Sequence, residues 1–184
     1  MFLDESGFML TPTVRRTLAP RGRTPILRSW DRHDRVSAIS GVTISPVRRN
    51  LGLYFRLLPD DTNAHAEDIV SFLSQLRDQI RGPMTILWDR SKIHGRSRLV
   101  RAYLAKHPEI HTEELPAYAP ETNPDENVWQ HTKHARLANF APDDTRELRR
   151  VLIEEFQRLH ERPDLLGAFV KHARVPVRIQ RLSG

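Results

Sequence analysis

Cysteine is missing altogether from the 184 residues, so neither disulfides nor thiolate metal sites hold the fold together, and a reducing compartment is permitted without being required. Long apolar runs are missing too. Nothing approaches the ~20 residues of a membrane helix, and Asp4 and Glu5 interrupt the apolar start where a signal peptide would need continuity. A cytoplasmic protein with no membrane partner is the reading that follows. Acids, finally, are missing from three long stretches. Residues 6–30 carry Arg15, Arg16, Arg21, Arg23 and Arg28 with no Asp or Glu, and residues 90–108 carry Arg90, Lys92, Arg96, Arg98, Arg101 and Lys106 likewise. Residues 165–184 form a basic tail with Lys171, Arg174, Arg178 and Arg181.

What is present balances those gaps. Hydrophobic residues at 39% and charged residues at 28% place the chain among ordinary globular proteins, long enough for one domain with a sizeable core. The net charge of +6 favours an anionic partner. Its distribution narrows the choice, because the first two acid-free stretches follow on the candidate ligands, one after Asp4-Glu5 and one after Asp89. Negative charge at a point surrounded by positive charge suits a phosphodiester held near metal ions; a solvated Arg-rich surface is the plainer alternative.

Periodicity gives the elements. Met1–Asp4 has the character of the end of a buried strand, short because it starts at the first residue, so that either the strand is clipped and open to fraying or the natural polypeptide has more sequence upstream. Residues 8–30, with Pro12, Pro20, Gly22 and Pro25, are expected as loop with a short strand at Pro25–Trp30. Val36, Ala38, Ser40, Val42 and Ile44 alternate with their neighbours, as do Leu51, Leu53, Phe55 and Leu57, which predicts an antiparallel hairpin joined through 45–50. Ala66, Ile69, Val70, Leu73, Leu76 and Ile80 follow helical spacing with Thr62 or Asn63 as cap, and Gly82-Pro83 ends that helix. Met84–Trp88 is a strand covered on both faces. A helix over 97–107, with Leu99, Val100, Tyr103 and Leu104 inward, a strand over 110–115, and helices near 123–138, 143–161 and 163–172 complete the series. The order is that of a mixed α/β sheet with helices packed on it.

Three carboxylates arrive from distant parts of this chain. Asp4 and Asp89 each close an apolar strand, the position where ligands gather in α/β sheets, although an Asp there also serves as a turn cap. Asn123-Pro124-Asp125-Glu126 is a helix start, with Asn123 as N-cap and Pro124 at the first position, so capping alone accounts for its acids. Spacing does not choose between Asp125 and Glu126.

Leu3-Asp4-Glu5-Ser6-Gly7-Phe8, Trp88-Asp89-Arg90-Ser91-Lys92-Ile93-His94 and the run Leu115–Trp129 together resemble, in order, the bacterial insertion-sequence branch of the mariner-like DDE transposases. The similarity extends from about residue 2 to residue 172, and the spacer 90–125 belongs to the family's short class. The resemblance implies a ribonuclease-H-like, retroviral-integrase-like five-stranded mixed sheet over 1–172, with 173–184 as a basic tail. It selects Glu126 over Asp125, so that Asp4, Asp89 and Glu126 become catalytic residues and metal ligands, with two Mg²⁺ ions, or Mn²⁺ in their place. It implies DNA as partner, with His94 as a phosphate or DNA contact beside Arg15, Arg16, Arg90, Lys92, Arg96 and Arg98, and Trp129 packing its helix onto the sheet without chemistry. Cleavage of transposon ends, joining to a TA target, a homodimer and a place at the bacterial nucleoid are family expectations. Relatives carry a helix-turn-helix module ahead of the first acid; none precedes Asp4 here, so weak or unselective cleavage is expected of this chain alone. Arg90 stands where many relatives carry Asn.

Two other classes compete. One is a silent DNA-binding or dimerisation remnant that keeps the fold and the basic surface. The other is a phosphatase-like hydrolase with a strand-end aspartate as nucleophile, weakened because Asp4-Glu5-Ser6 and Asp89-Arg90-Ser91 lack a second aspartate two residues on.

Overall fold

The computed structural model describes residues 1–23, 25–27, 34–45, 50–117 and 119–174. Five strands form one sheet: β1 (Phe2–Met9), β2 (Arg35–Ile44), β3 (Leu51–Leu57), β4 (Met84–Trp88) and β5 (Ile110–Glu114), in the order β3-β2-β1-β4-β5. β1, β2 and β3 are antiparallel, whereas β4 runs parallel to both β1 and β5. This is the expected ribonuclease-H-like mixed sheet. Its helices are α1 (Ala66–Gln79), α2 (Arg98–Lys106), α3 (Pro124–His131), α4 (Thr145–His160) and α5 (Pro163–His172). None of the described helices is long and apolar enough to cross a membrane.

Strand alternation divides the core in two. Phe8, Leu10, Val36, Ala38, Val42 and Leu53 pack with α3, α4 and α5 through Val128, Trp129, Leu152, Phe156 and Leu166. Leu3, Ile39, Ile86 and Trp88 pack on the opposite face with α1 and α2 through Ile69, Phe72, Leu73, Leu76 and Val100. The sheet is therefore covered on both faces, and β2 is buried without a break from Val36 to Val42.

Several expectations need correcting. β1 does not stop at Asp4: it continues to Met9 and pairs with β2 along its whole length, from Phe2 opposite Val42 to Met9 opposite Arg35. Ser6 and Gly7 concealed the continuation, because a polar stretch with glycine is weak strand material until a partner supplies the ladder. The cap of α1 is His65 rather than Thr62 or Asn63, and the His65 N–H is in turn satisfied by Asp68 Oδ2 at 2.9 Å. Leu99 is 43% exposed rather than inward. The helix foreseen over 123–138 is α3 followed by a π-helical turn at Thr132–Arg136. Residues 25–27 are irregular, while the remainder of the proposed strand to Trp30, most of the hairpin connection and the tail from 175 lie outside the described residues.

Phe156 lies where the first half-core closes. It is fully buried and meets Phe8, Phe55 and Trp129 with ring centroids 6.1, 5.1 and 6.0 Å away. Phe156→Ala should lower stability by about 3–5 kcal/mol, measured by urea denaturation. A loss under 1 kcal/mol would mean that this cluster does not hold α4 to the sheet.

Candidate active site

The β1–β4 pairing sets the first geometric relation. Phe2 of β1 is in register with Leu87 of β4, and two residues further along each parallel strand stand Asp4 and Asp89. Neighbouring strands lie about 4.8 Å apart, so the two acids begin from equivalent places on adjacent strands. Asp4 still belongs to the β1–β2 ladder, opposite Ser40, whereas Asp89 is the first residue beyond β4.

Alternation then sends Asp4, Ser6 and Phe8 to the face covered by α3. Helical spacing brings Glu126, Trp129 and Lys133 onto one side of α3 and its extension. The two rows meet: Trp129 Nε1 donates to Asp4 Oδ2 at 3.2 Å, Lys133 Nζ donates to Ser6 Oγ at 2.7 Å, and the Lys133 ammonium lies 5.3 Å from the Phe8 ring centre. Trp129 is packed edge-on against Phe8 at 5.9 Å, as foreseen, but its indole N–H also touches a proposed ligand, which sequence reasoning missed. Lys133 was missed as well. Counting one and two turns onward from Glu126 would have found both.

Asp125 and Glu126 part company at the start of α3. Asn123 caps the helix by accepting from the Asp125 N–H at 3.2 Å. Asp125 is wholly buried, accepting from Ser40 Oγ at 2.5 Å and from the Val42 N–H at 3.2 Å. It pins the helix to β2. Glu126, half-buried, is left on the side of Asp4 and Lys133. Ser40, the one polar residue in the row Val36, Ala38, Ser40 and Val42, is thereby explained.

Electrostatics mark the same place. Burial, followed by the charges of Asp125, Glu5 and Glu126, pushes the Asp4 carboxyl up to about 8. Burial raises Asp125 to about 7 against the hydrogen bonds from Ser40 and Val42. Burial lowers the Lys133 ammonium, while Glu126 and Asp4 act to raise it. Negative charge is thus crowded at Asp4, and hard oxygen donors in that setting suit a divalent cation of the Mg²⁺ or Mn²⁺ type. Among the described residues, no three acidic or histidine side chains converge closely enough to hold one ion as they stand. The donor chemistry fits; closing the site requires side-chain movement, for which the Asp89 side chain, 60% exposed, has room on its solvent side.

Asp89 has its own surroundings. Its Oδ1 accepts from the Ser91 N–H at 2.8 Å and lies 2.8 Å from His94 Nδ1. The other ring nitrogen, Nε2, is 2.8 Å from Glu5 Oε1. His94 is 1% exposed and stacks on Trp88 at 4.9 Å with the planes 6° apart. The expectation of a DNA contact at His94 is corrected accordingly, since a ring enclosed between two carboxylates and an indole offers no surface to a phosphate. Burial alone would lower its pKa, but the Glu5 hydrogen bond and charge, with the Asp89 carbonyl and charge, hold it above the ordinary imidazole value.

The remaining basic candidates are exposed on two segments. Arg90, Lys92, Arg96 and Arg98 follow Asp89 directly, with Arg90 3.3 Å from Glu114 in a surface pair of little energetic weight. Arg15 and Arg16 follow β1, where the Thr13–Ala138 bridge and a bond from the Arg15 N–H to Asn139 Oδ1 at 2.8 Å tie that segment to the end of the α3 extension.

Comparison with known proteins bears on the family and the fold. A family model described as DDE superfamily endonuclease matches residues 1–149. No curated protein sequence matches the chain. Among solved structures, the Mos1 transposase paired-end complex with left transposon end is 17% identical with a TM-score of 0.60, covering 94% of this chain and 54% of that one. The Mos1 strand transfer complex is 18% identical with a TM-score of 0.60, covering 96% and 55%, and the catalytic domain of Mos1 mariner transposase is 16% identical with a TM-score of 0.53, covering 94% and 80%. At such identities the likeness is one of fold, and the chain spans a little over half the length of the full transposase chains.

The raised carboxyls give a pH dependence. With Asp4 near 8 and Asp125 near 7, against 3.8 for an ordinary aspartate, the native chain binds more protons than the unfolded chain between those limits. Metal-free stability should therefore rise as the pH falls from about 8 toward about 5. Urea midpoints of the wild type should show this, with a shallower dependence in Asp4→Asn; a midpoint that rises with pH over the same range would contradict the charge crowding.

Proposed function

The chain belongs to the DDE superfamily endonuclease family, and from that premise we propose that it is the catalytic domain of an insertion-sequence transposase, cutting DNA strands and joining them to a new target. The reading rests on one observation above the rest: Asp4 and Asp89 start from matched positions on adjacent parallel strands, and the side of α3 that covers Asp4 carries Glu126. In this reading the three carboxylates hold divalent cations, Mg²⁺ with Mn²⁺ as substitute.

Divalent ions held by these carboxylates would supply charge neutralisation on both the attacking and the leaving oxygen of a phosphodiester. The chain's residues do the rest. Trp129 keeps Asp4 oriented through its indole N–H and excludes water behind it. Lys133, held over Phe8 and against Ser6, places a cation beside Asp4 and Glu126 where a phosphate approaches. Arg90, Lys92, Arg96 and Arg98 continue the positive field away from Asp89, and Arg15 and Arg16 do so beyond β1. Water is the nucleophile for the first cut, and the freed 3′-hydroxyl is the nucleophile for joining, with a TA target, transposon-end DNA and a homodimer as the setting in this proposal.

Supercoiled plasmid incubated with the chain and Mn²⁺ should be nicked. Asp4→Ala, Asp89→Ala and Glu126→Ala should each reduce the nicking rate by at least about 100-fold while leaving DNA retardation in gels nearly unchanged. Retardation without any acid-dependent nicking would instead identify a silent DNA-binding remnant.

A further inference from the structure

Resting on the reading of Asp89 as a metal ligand, a second group of residues acquires a role. Three observations concern His94. It is 1% exposed and lies flat against Trp88, the last residue of β4, with ring planes 6° apart. Its Nδ1 addresses Asp89 twice, at 3.2 Å from the main-chain carbonyl oxygen in a hydrogen bond and at 2.8 Å from the carboxylate Oδ1. Its Nε2 is 2.8 Å from Oε1 of Glu5, the residue next to Asp4 on β1, whose side chain is only 17% exposed.

The partition of groups between the sheet faces gives the arrangement its sense. Alternation along β1 sends Asp4 to the α3 face and Glu5 to the opposite one. The ring of His94 spans from Glu5, under β1, to the residue that follows β4. Asp89 lies beyond the last strand residue, where the ladder no longer holds the main chain. Nδ1 reaches that carbonyl where the ladder has ended, so the main chain of Asp89 is held there. Oδ2 of Asp89 makes no hydrogen bond among the described residues, which leaves one oxygen for an ion while Oδ1 is engaged by the Ser91 N–H and the His94 ring. Groups outside the ligand set that orient a ligating side chain are as much a part of a metal site as the ligands.

We propose that Glu5 and His94 are positioning residues for Asp89: Glu5 orients the His94 ring, and the ring fixes the Asp89 main chain and one edge of its carboxylate for ion binding. Neither touches the ion or the substrate. The two acids of Asp4-Glu5 thus divide the work, one facing the reacting phosphate and the other, from the opposite face of the sheet, steadying the ligand that follows the neighbouring strand.

The test is Mn²⁺ binding by the full chain, read as free Mn²⁺ by electron paramagnetic resonance, for the wild type, Asp89→Ala, Glu5→Ala, Glu5→Gln and His94→Phe. Phe keeps the ring on Trp88 and removes both nitrogens; Gln keeps an acceptor oxygen for Nε2. Glu5→Ala and His94→Phe should weaken Mn²⁺ binding by about 10-fold or more, with Glu5→Gln recovering most of the loss, in proteins whose thermal melting shows them folded. If His94→Phe fails to fold, the Glu5→Ala and Glu5→Gln pair decides. Wild-type or tighter binding in folded Glu5→Ala and His94→Phe, alongside weakened binding in Asp89→Ala, would overturn the positioning role and leave the metal site standing. Binding unaffected by Asp89→Ala would overturn the metal-site reading and this inference together.

Discussion

The docking of α3 across β1 and β2 is the constraint on which the rest of the structure depends. It is secured by a carboxylate that has been taken out of water: Asp125, at the first turn of the helix, accepts from Ser40 and from the Val42 main chain, two partners more than eighty positions away in the sequence. A buried carboxylate is tolerated only where its oxygens are satisfied, so the bond specifies the placement of the helix rather than adding stability in bulk. Once the helix is so placed, Trp129 reaches Asp4 and Lys133 reaches Ser6 without further adjustment. The apolar cluster around Phe8, Trp129 and Phe156 then fills the space beneath.

That placement also creates the electrostatic tension of the site. Asp125 and Glu126 both bear on Asp4, and so does Glu5 from the same strand. Four carboxylates in one region, with Lys133 half-buried against them, form a place where an added cation is favourable. The His94 ring, enclosed between Glu5 and Asp89, balances charge at the other edge of the region. The two histidine contacts and the two α3 contacts together join β1, the end of β4 and the helix into a single unit.

Much of the fold was legible in the sequence because its signals are local. The period-two rows of β2 and β3, the three-and-four spacing of α1 and α4, and the Asn123-Pro124 start of α3 all have short-range causes. The second half of β1 was not legible, since Ser6 and Gly7 become strand only through pairing with Ser37 and Ala38. The candidate site was partly legible. Strand-end position pointed to Asp89, but local spacing left Asp125 and Glu126 equivalent. The difference between them is tertiary: one points at Ser40 and the other does not. His94 shows the converse error, where a polar residue in a basic loop was expected at the surface and is instead enclosed by Trp88, Glu5 and Asp89. No periodicity reveals a ring that bridges two strands from a loop.

The central claim is that three carboxylates from distant parts of the chain serve one cation site, and anomalous diffraction from crystals soaked in Mn²⁺ addresses it most directly. The account predicts manganese peaks with oxygens of Asp4, Asp89 and Glu126 at roughly 2.0–2.3 Å, the range of hard divalent cations with carboxylate ligands. Manganese bound elsewhere, or peaks that leave Asp4 and Asp89 on separate ions with no shared neighbour, would contradict it.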